Sequence, residues 1–397
     1  MHVLAVTTSF PLRPGASAGV FVRRLYEHLK EDWRIDVICP ADDGARVEAP
    51  DDARIRLRPV RYAPTRCRVL AQQSGGVASG LRRAPWRVLL APFLLAGLWW
   101  RCLIEARRCD VVHANWAVCG AIAWPAALFW RRPLVTTLRG DDVARARRSA
   151  LDRWLLHVAV RGSALIVCVS EAMARELAER YPARKGDIEV CLNGVDASFL
   201  AVVRSPPQRD RLRVGAVGSL IPRKGYDVLL DAIARSACRG AIEVRIAGGG
   251  PELQSLRDRA ASLGIAACVR FVGDLAPAQI PGFLADADVL VLPSRSEGRP
   301  NAVIEALAAG LPVISSDLPG VRGLVVPGAN GWCVPVGDVA GFAAALDEAC
   351  TDPAGRERRA AAARAAAARD GQTWESTGSR YATLFRRAVA MPRGGAR

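Results

Sequence analysis

Glu297 and Glu305 stand eight positions apart at a change of pattern in the chain. Residues 289–292 (VLVL) read as the end of a buried strand, residues 293–300 are rich in Pro, Ser and Gly, and residues 301–310 have helical composition. Glu297 therefore falls on a loop and Glu305 inside the helix. Such a junction leaves backbone N–H groups unpaired at the helix start, which suits a phosphate. A carboxylate beyond the first turn can accept hydrogen bonds from sugar hydroxyls. For any single glutamate a solvated carboxylate is the commoner arrangement, with Arg295 as a simple partner for Glu297. A second group of charges, Arg223 and Lys224, precedes another helical run at residues 228–234. Two adjacent cations at a helix entry suit a diphosphate through charge-assisted hydrogen bonds.

The string around the two acids can be written S-x-S-E-G-x-P-N-x-x-x-E-A-L-A-x-G-x-P-V, running from Ser294 to Val313. It resembles the signature of the retaining GT-B glycosyltransferases of family 4, the group 1 enzymes of exopolysaccharide and teichuronic-acid type. The resemblance implies that Glu297 lies beside the transferred sugar and that Glu305 holds the donor's ribose. It also implies that Asn301, Ala302 and Val303 meet the donor through their backbone. The family's G-R-L-x-x-x-K-G appears as residues 218–225, so Lys224 matches the lysine while Ser219 stands where an arginine is usual; Arg223 is then the expected second cation. Gly249 and Gly273 fall in loops that line the nucleotide pocket in the family. The family's H-G-x-D is Arg139-Gly140-Asp141-Asp142 here, with Arg in place of His.

The elements that must position these residues alternate between strand and helix, which implies parallel sheets with ligands at the strand C-termini. Residues 3–7, 35–39, 55–60, 109–114, 134–138, 165–169 and 189–192 read as the strands of a first domain. The first loop, residues 9–19, lacks G-x-G-x-x-G. Its Gly19 nevertheless opens the helix of residues 20–30 and would let backbone N–H groups approach a phosphate. In the family a glycine at this place faces the donor diphosphate and the acceptor. His113 and Asp142 also fall at strand ends, and a histidine there can donate to a sugar hydroxyl or carbonyl. The expected organisation is α/β: an acceptor-side Rossmann-like domain at 1–198, a linker at 199–210, and a nucleotide-sugar domain at 211–372. The two face each other across a cleft, and the helix beginning near 373 crosses back to the first domain ahead of a basic tail. Residues 64–84 read as a loop.

The 397 residues carry a formal net charge of +16, unevenly distributed. Residues 53–108 hold 12 Arg and one acid, Glu105, whereas residues 211–350 hold 13 basic and 14 acidic residues. An Arg-rich half suits anionic lipid or nucleic acid, and also arises from genome bias alone. Residues 88–100 carry no charge, but are short for a span and include Pro92, so an interfacial helix on an anionic membrane competes with a helix packed on the sheet. The adopted reading has the membrane, not nucleic acid, as the charged partner. The 11 cysteines lie in apolar stretches without C-x-x-C spacing, which favours reduced thiols in a cytoplasmic protein. No basic n-region opens the chain, so no signal peptide is expected.

Together these features predict transfer of a hexose-type sugar from a UDP- or GDP-sugar to a saccharide or lipid-linked acceptor in cell-surface polysaccharide assembly. Glu297, His113 and Asp142 are the expected catalytic residues. Gly19, Arg223, Lys224, Gly249, Gly273, Asn301, Ala302, Val303 and Glu305 are the expected donor ligands. The nucleotide sugar is a co-substrate, and neither a cofactor nor a metal is expected, since no Asp-x-Asp or His/Cys cluster is placed to hold one. Rival readings are a sugar-nucleotide 2-epimerase of the same architecture and a non-catalytic nucleotide-sugar or nucleic-acid binding protein.

Overall fold

A computed structural model describes residues 1–12, 19–41, 52–68, 70, 85–205, 211–370 and 373–391. The first loop between Leu12 and Gly19, most of the loop expected at 64–84, part of the expected linker and the basic tail lie outside the described residues. The chain forms two compact units, Met1–Gly194 with Trp374–Arg397, and Val195–Thr373.

The first unit is built on seven parallel strands: β1 (His2–Val6), β2 (Arg34–Pro40), β3 (Ile55–Val60), β4 (Val111–Asn115), β5 (Leu134–Leu138), β6 (Leu165–Cys168) and β7 (Ile188–Val190). Their order, β3-β2-β1-β4-β5-β6-β7, reverses direction between β1 and β4. Strand periodicity divides β1 cleanly. Val3 and Ala5 join one core with Ile35, Val37, Tyr381 and Phe385, while Leu4 and Val6 join the other with Leu94, Leu98 and Val112. The helix Trp374–Ala390 thus completes a core begun by the N-terminal strand. Its Gly378 touches the first helical turn-off, where an added Cβ would lie 1.9 Å from the carbonyl oxygen of His28.

The second unit has six parallel strands: β8 (Leu212–Val217), β9 (Ile242–Ala247), β10 (Val269–Gly273), β11 (Val289–Leu292), β12 (Val313–Ser316) and β13 (Gly331–Val334). The order is β10-β9-β8-β11-β12-β13, again reversing at its first strand. Asp288 fixes the β8–β11 pairing. It is fully buried and accepts from the backbone N–H of Arg213 (2.8 Å) and from its guanidinium (2.8 Å). The edge strand β13 is absent from the sequence reading, because four residues containing Gly and Trp without alternation give no strand signal. The division between units also falls earlier than expected. Helix Ala197–Leu200 sits in the second unit, with Phe199 and Val202 buried beside Ile304 and Leu307, so residues 199–202 are core and not linker.

Gly378→Ala is expected to destabilise the protein by about 1–3 kcal/mol through overpacking against the His28 carbonyl. A lowered thermal midpoint measures it, with Thr383→Ala on the exposed side of the same helix as the near-neutral comparison.

Candidate active site

The site of the second unit lies where β8 and β11 deliver their loops at the point of strand reversal. After β8 the chain passes Gly218, makes one 3-10 turn at Pro222–Lys224, and enters helix Tyr226–Arg235 through Gly225. Gly225 has φ 67°, and a Cβ there would meet the Pro293 carbonyl oxygen at 2.1 Å, so only glycine lets the two loops close. The backbone N–H of Arg295 then donates to the carbonyl of Arg223 at 2.8 Å.

This contact brings the expected cations and acid together. Lys224 Nζ donates to Glu297 Oε1 at 2.7 Å, Ser294 Oγ donates to the same oxygen at 2.8 Å, and an Arg223 nitrogen lies 3.7 Å from Glu297 Oε2. The side chains of Lys224 and Glu297 are 15% and 7% exposed, so this pair is nearly dry. Burial pulls the Glu297 carboxyl upward, but Lys224, Arg223 and the hydrogen bonds from Lys224 and Ser294 together hold it below the ordinary carboxylate value. Glu297 is therefore ionised and oriented. Arg295 does not pair with it. Its guanidinium grips Asp227 at 2.9 and 2.5 Å and braces the outside of the junction.

Helix Asn301–Ala308 begins at Pro300 with no side-chain cap and no acid in its first turn, an electropositive end. Of the three amides expected to meet the donor there, that of Val303 is already given to the Pro300 carbonyl at 3.1 Å. Glu305 makes no hydrogen bond through its carboxyl among the described residues. Burial, then the nearby charge of Asp196, raises it to about 7. An unbonded, easily neutralised carboxyl is free to accept a sugar diol. Gly249 and Gly273 serve the loops: the Gly249 N–H donates to Asp274 at 2.7 Å, and the Gly273 carbonyl accepts from Gly248 at 2.7 Å.

In the first unit two expected catalytic residues prove to be internal. His113 lies within β4, fully buried, with Nδ1 2.8 Å from the Tyr26 hydroxyl and Nε2 2.8 Å from Thr137 Oγ1. Burial, then Arg139, pushes its pKa well below the ordinary value, so the ring is neutral. Both nitrogens are engaged by side chains of the first unit. Asp142 is likewise buried, and accepts from the backbone N–H of Ala117 and of Arg139, each at 2.9 Å. It ties two strand-end loops together.

The residues that do sit at the strand ends are Asn115, Arg139 and Asn193. Asn115 Nδ2 donates to the Tyr26 hydroxyl (3.1 Å), while Arg139 donates to Asn115 Oδ1 (2.6 Å) and Asn193 Oδ1 (2.9 Å). Asn115 was missed because His113 two positions earlier drew the assignment. The turn after β4 marked by Trp116, which holds φ 72°, has no sequence signal. Gly19 has φ 76° and packs on Ser9, where a Cβ would lie 2.5 Å from the carbonyl oxygen, so it opens helix Val20–Glu27 as expected.

Because Glu305 binds its proton more tightly folded than unfolded, its contribution to stability falls as pH rises from about 4.5 to about 7 and is level above that. Glu305→Gln is expected to raise stability at pH 8 by on the order of 1 kcal/mol, allowing for its partial solvent contact, with no gain at pH 4. Thermal unfolding at the two pH values checks this.

Comparison with known proteins places the chain in a family. Residues 18–199 match the profile of Glycosyltransferase Family 4, and residues 203–368 that of glycosyl transferases group 1. A glycogen synthase of Mycobacterium tuberculosis is 31% identical over 302 residues, covering 72% of this chain and 70% of the relative. A D-inositol 3-phosphate glycosyltransferase of Streptosporangium roseum is 31% identical over 329 residues, covering 76% and 74%. The sucrose-phosphate synthase of Thermosynechococcus elongatus shares the fold with TM-score 0.81 at 19% identity, over 98% of this chain and 99% of that one. Anabaena HepE with bound UDP and glucose does so with TM-score 0.77 at 20% identity, over 98% and 100%. The chain belongs to the group 1, family 4 glycosyltransferases, nucleotide-sugar-dependent enzymes of GT-B fold.

Proposed function

We propose that this enzyme transfers a hexose-type sugar, with retention of anomeric configuration, from a UDP- or GDP-sugar to a lipid-linked acceptor of cell-surface polysaccharide assembly. The observation that carries the reading is the nearly dry cluster of Lys224, Arg223, Ser294 and Glu297 beside an uncapped helix start. As the glycosidic bond breaks, negative charge builds on the leaving diphosphate. Lys224, Arg223 and the start of helix Asn301–Ala308 are fixed charges and dipoles aimed at that change, and they stabilise the transition state more than the ground state. They take the part a divalent cation plays elsewhere, so no metal is needed. Glu305 takes the ribose diol. Glu297, held ionised, stabilises and orients the sugar, and the leaving phosphate accepts the acceptor's proton in a front-face attack. UDP bound to HepE supports a nucleotide-sugar donor of this kind.

The lipid-linked acceptor is supported by the outer surface of the first unit. Helix Ala91–Glu105 packs on the sheet through Leu94, Leu98, Cys102 and Glu105, yet its opposite face is also apolar. Phe93 is 64% and Trp100 58% exposed. The stretch Val88–Arg108 is apolar and long enough to cross a membrane by composition, but its buried stripe commits it to the sheet. Trp130 Nε1 donates to the Leu103 carbonyl at 2.7 Å, which sets exposed Leu128 and Phe129 beside this face. Exposed Arg107, Arg108 and Arg131 flank it. Apolar side chains with arginines at one edge fit the headgroup–acyl boundary of an anionic membrane, here its cytoplasmic side.

The decisive assay mixes the pure protein with UDP- and GDP-sugars and polyprenyl-linked saccharides and follows product anomericity. A product with inverted configuration, or UDP-sugar epimerised without transfer, refutes the reading. Because Lys224 and Glu297 are buried partners, neutralising either strands the other's charge, and near-isosteric changes, which add no cavity to that effect, are the informative ones. Glu297→Gln and Lys224→Met should each lower kcat by roughly 100-fold or more with the fold retained by circular dichroism. Phe93→Ser with Trp100→Ser should reduce co-sedimentation with phosphatidylglycerol vesicles several-fold while turnover of a soluble acceptor persists. Unchanged sedimentation removes the membrane contact.

A further inference from the structure

Arg139 presents a charge problem that the first unit does not solve internally. Its guanidinium donates to the amide oxygens of Asn115 and Asn193 and lies over the Phe21 ring at 4.9 Å. All three partners are neutral. Among the described residues no carboxylate reaches ion-pair distance of it. Asp142, at the base of the same loop, accepts the backbone N–H of Arg139 instead of its side chain. Nε is buried and has no acceptor. Two of five N–H donors are satisfied by described residues, and the half-buried cation stands in the field of a neutral histidine and two buried tyrosines. A half-buried cation that no described carboxylate neutralises favours an anion brought to it.

The surroundings are built to hold the group still. Asn115 is fixed by Tyr26, Tyr26 by His113, His113 by Thr137, and Thr137 by Tyr381 at 3.1 Å. Phe21 is backed edge-on by Trp116 at 6.0 Å, and Trp116 keeps a positive φ that a bulky side chain rarely adopts. All of this stands at the C-terminal ends of β4 and β5, the ligand side of a parallel sheet beside its point of strand reversal. A guanidinium with donors to spare on both terminal nitrogens is suited to a carboxylate or a phosphate, not to a hydroxyl that histidine would serve as well.

We infer that Arg139 is an anion subsite of the first unit, taking a carboxylate or phosphate carried by one of the two substrates. It makes the enzyme selective for a charged sugar donor or a charged acceptor. The inference deepens the transferase reading and rests on it for the substrate's identity, while the anion site itself stands on the geometry.

Two measurements separate these. Calorimetric titration of the full-length protein with inorganic phosphate should show a binding event that survives Lys224→Met and is lost in Arg139→Gln, with Arg139→Lys weakened but not abolished. Kinetics should then compare UDP-glucose with UDP-glucuronate, and phosphorylated with dephosphorylated acceptor, in wild type and Arg139→Gln. The pair whose charged member alone loses roughly 10- to 100-fold in kcat/KM identifies the source. Phosphate binding unchanged in Arg139→Gln, in a protein of normal circular dichroism, overturns the subsite, as does an equal loss with charged and neutral members of both pairs. Absence of transfer with every donor would defeat the transferase reading and leave the phosphate titration to decide the subsite.

Discussion

The contact between Lys224 and Glu297 is the constraint on which the second unit turns. The residues are 73 positions apart, and only the adjacency of β8 and β11 lets their loops meet. That adjacency is itself enforced, by Asp288 bonded to Arg213 at the start of the two strands and by Gly225 clearing the Pro293 carbonyl at their ends. The pair is too dry for its Coulomb attraction to be screened as a surface pair would be, yet desolvation takes back much of what the attraction provides. Its net value lies in specification: it leaves Glu297 one protonation state and Lys224 one direction. Arg295, clamped on Asp227, walls the outside so that neither partner can relax toward water.

The first unit repeats the topology and reverses the chemistry. Where the second unit pairs its buried charges, the first fills its strand ends with neutral groups. Proton order along them is determined once His113 is neutral: Asn115 donates to Tyr26, Tyr26 to Nδ1 of His113, and Nε2 of His113 to Thr137. A charged imidazole would turn Nδ1 into a second donor facing the Tyr26 hydroxyl, which already receives from Asn115 and would be left without an acceptor. Arg139 adds a repulsive field against that protonation, as it also favours ionisation of Tyr26 and Tyr381 without overcoming their burial. One cation set among groups that must stay neutral makes a polar surface that responds to an anion more than to pH.

Which residues were legible in the sequence follows from where their environment comes from. Glu297, Lys224 and Arg223 are placed by loops adjoining their own strands, and local pattern with the family string was enough to bring them together. His113 and Asp142 had the same kind of evidence, a polar residue near a strand end, and it did not reveal that both are buried. His113 is closed off by Tyr381 and Phe385, on a helix about 270 residues later, which no local window includes. Asp142 looked available because nothing nearby in sequence reveals that Ala117 turns its N–H toward it. The strands were readable from apolar runs except β13, whose four residues are held by register against β12 more than by composition. Residues 199–202 looked like linker because Pro206 and Pro207 follow closely, though the apolar Phe199 and Val202 were available as a warning.

The uneven charge of the chain can now be traced to particular partners. In the second unit several arginines have an acid each, Arg213 with Asp288, Arg259 with Asp231, Arg295 with Asp227, Arg322 with Asp317 and Arg359 with Glu348. Residues 53–108 hold 12 arginines and one acid, so matching there depends on acids outside the segment, as Asp52 pairs with Arg54. Arg58 and Arg101 both lean toward Glu105, and Arg58 also toward buried Asp36, leaving Arg107 and Arg108 exposed to the solvent. Genome bias toward arginine explains the residue chosen but not the missing acids, because the second unit is equally Arg-rich in its cations and remains balanced. Nor does it explain why the unmatched arginines border the apolar outer face of helix Ala91–Glu105. Scattered positive charge would act only as a long-range field, screened within about 10 Å in salt. Charge at the rim of an exposed apolar face acts instead at contact distance, where the screening is weak.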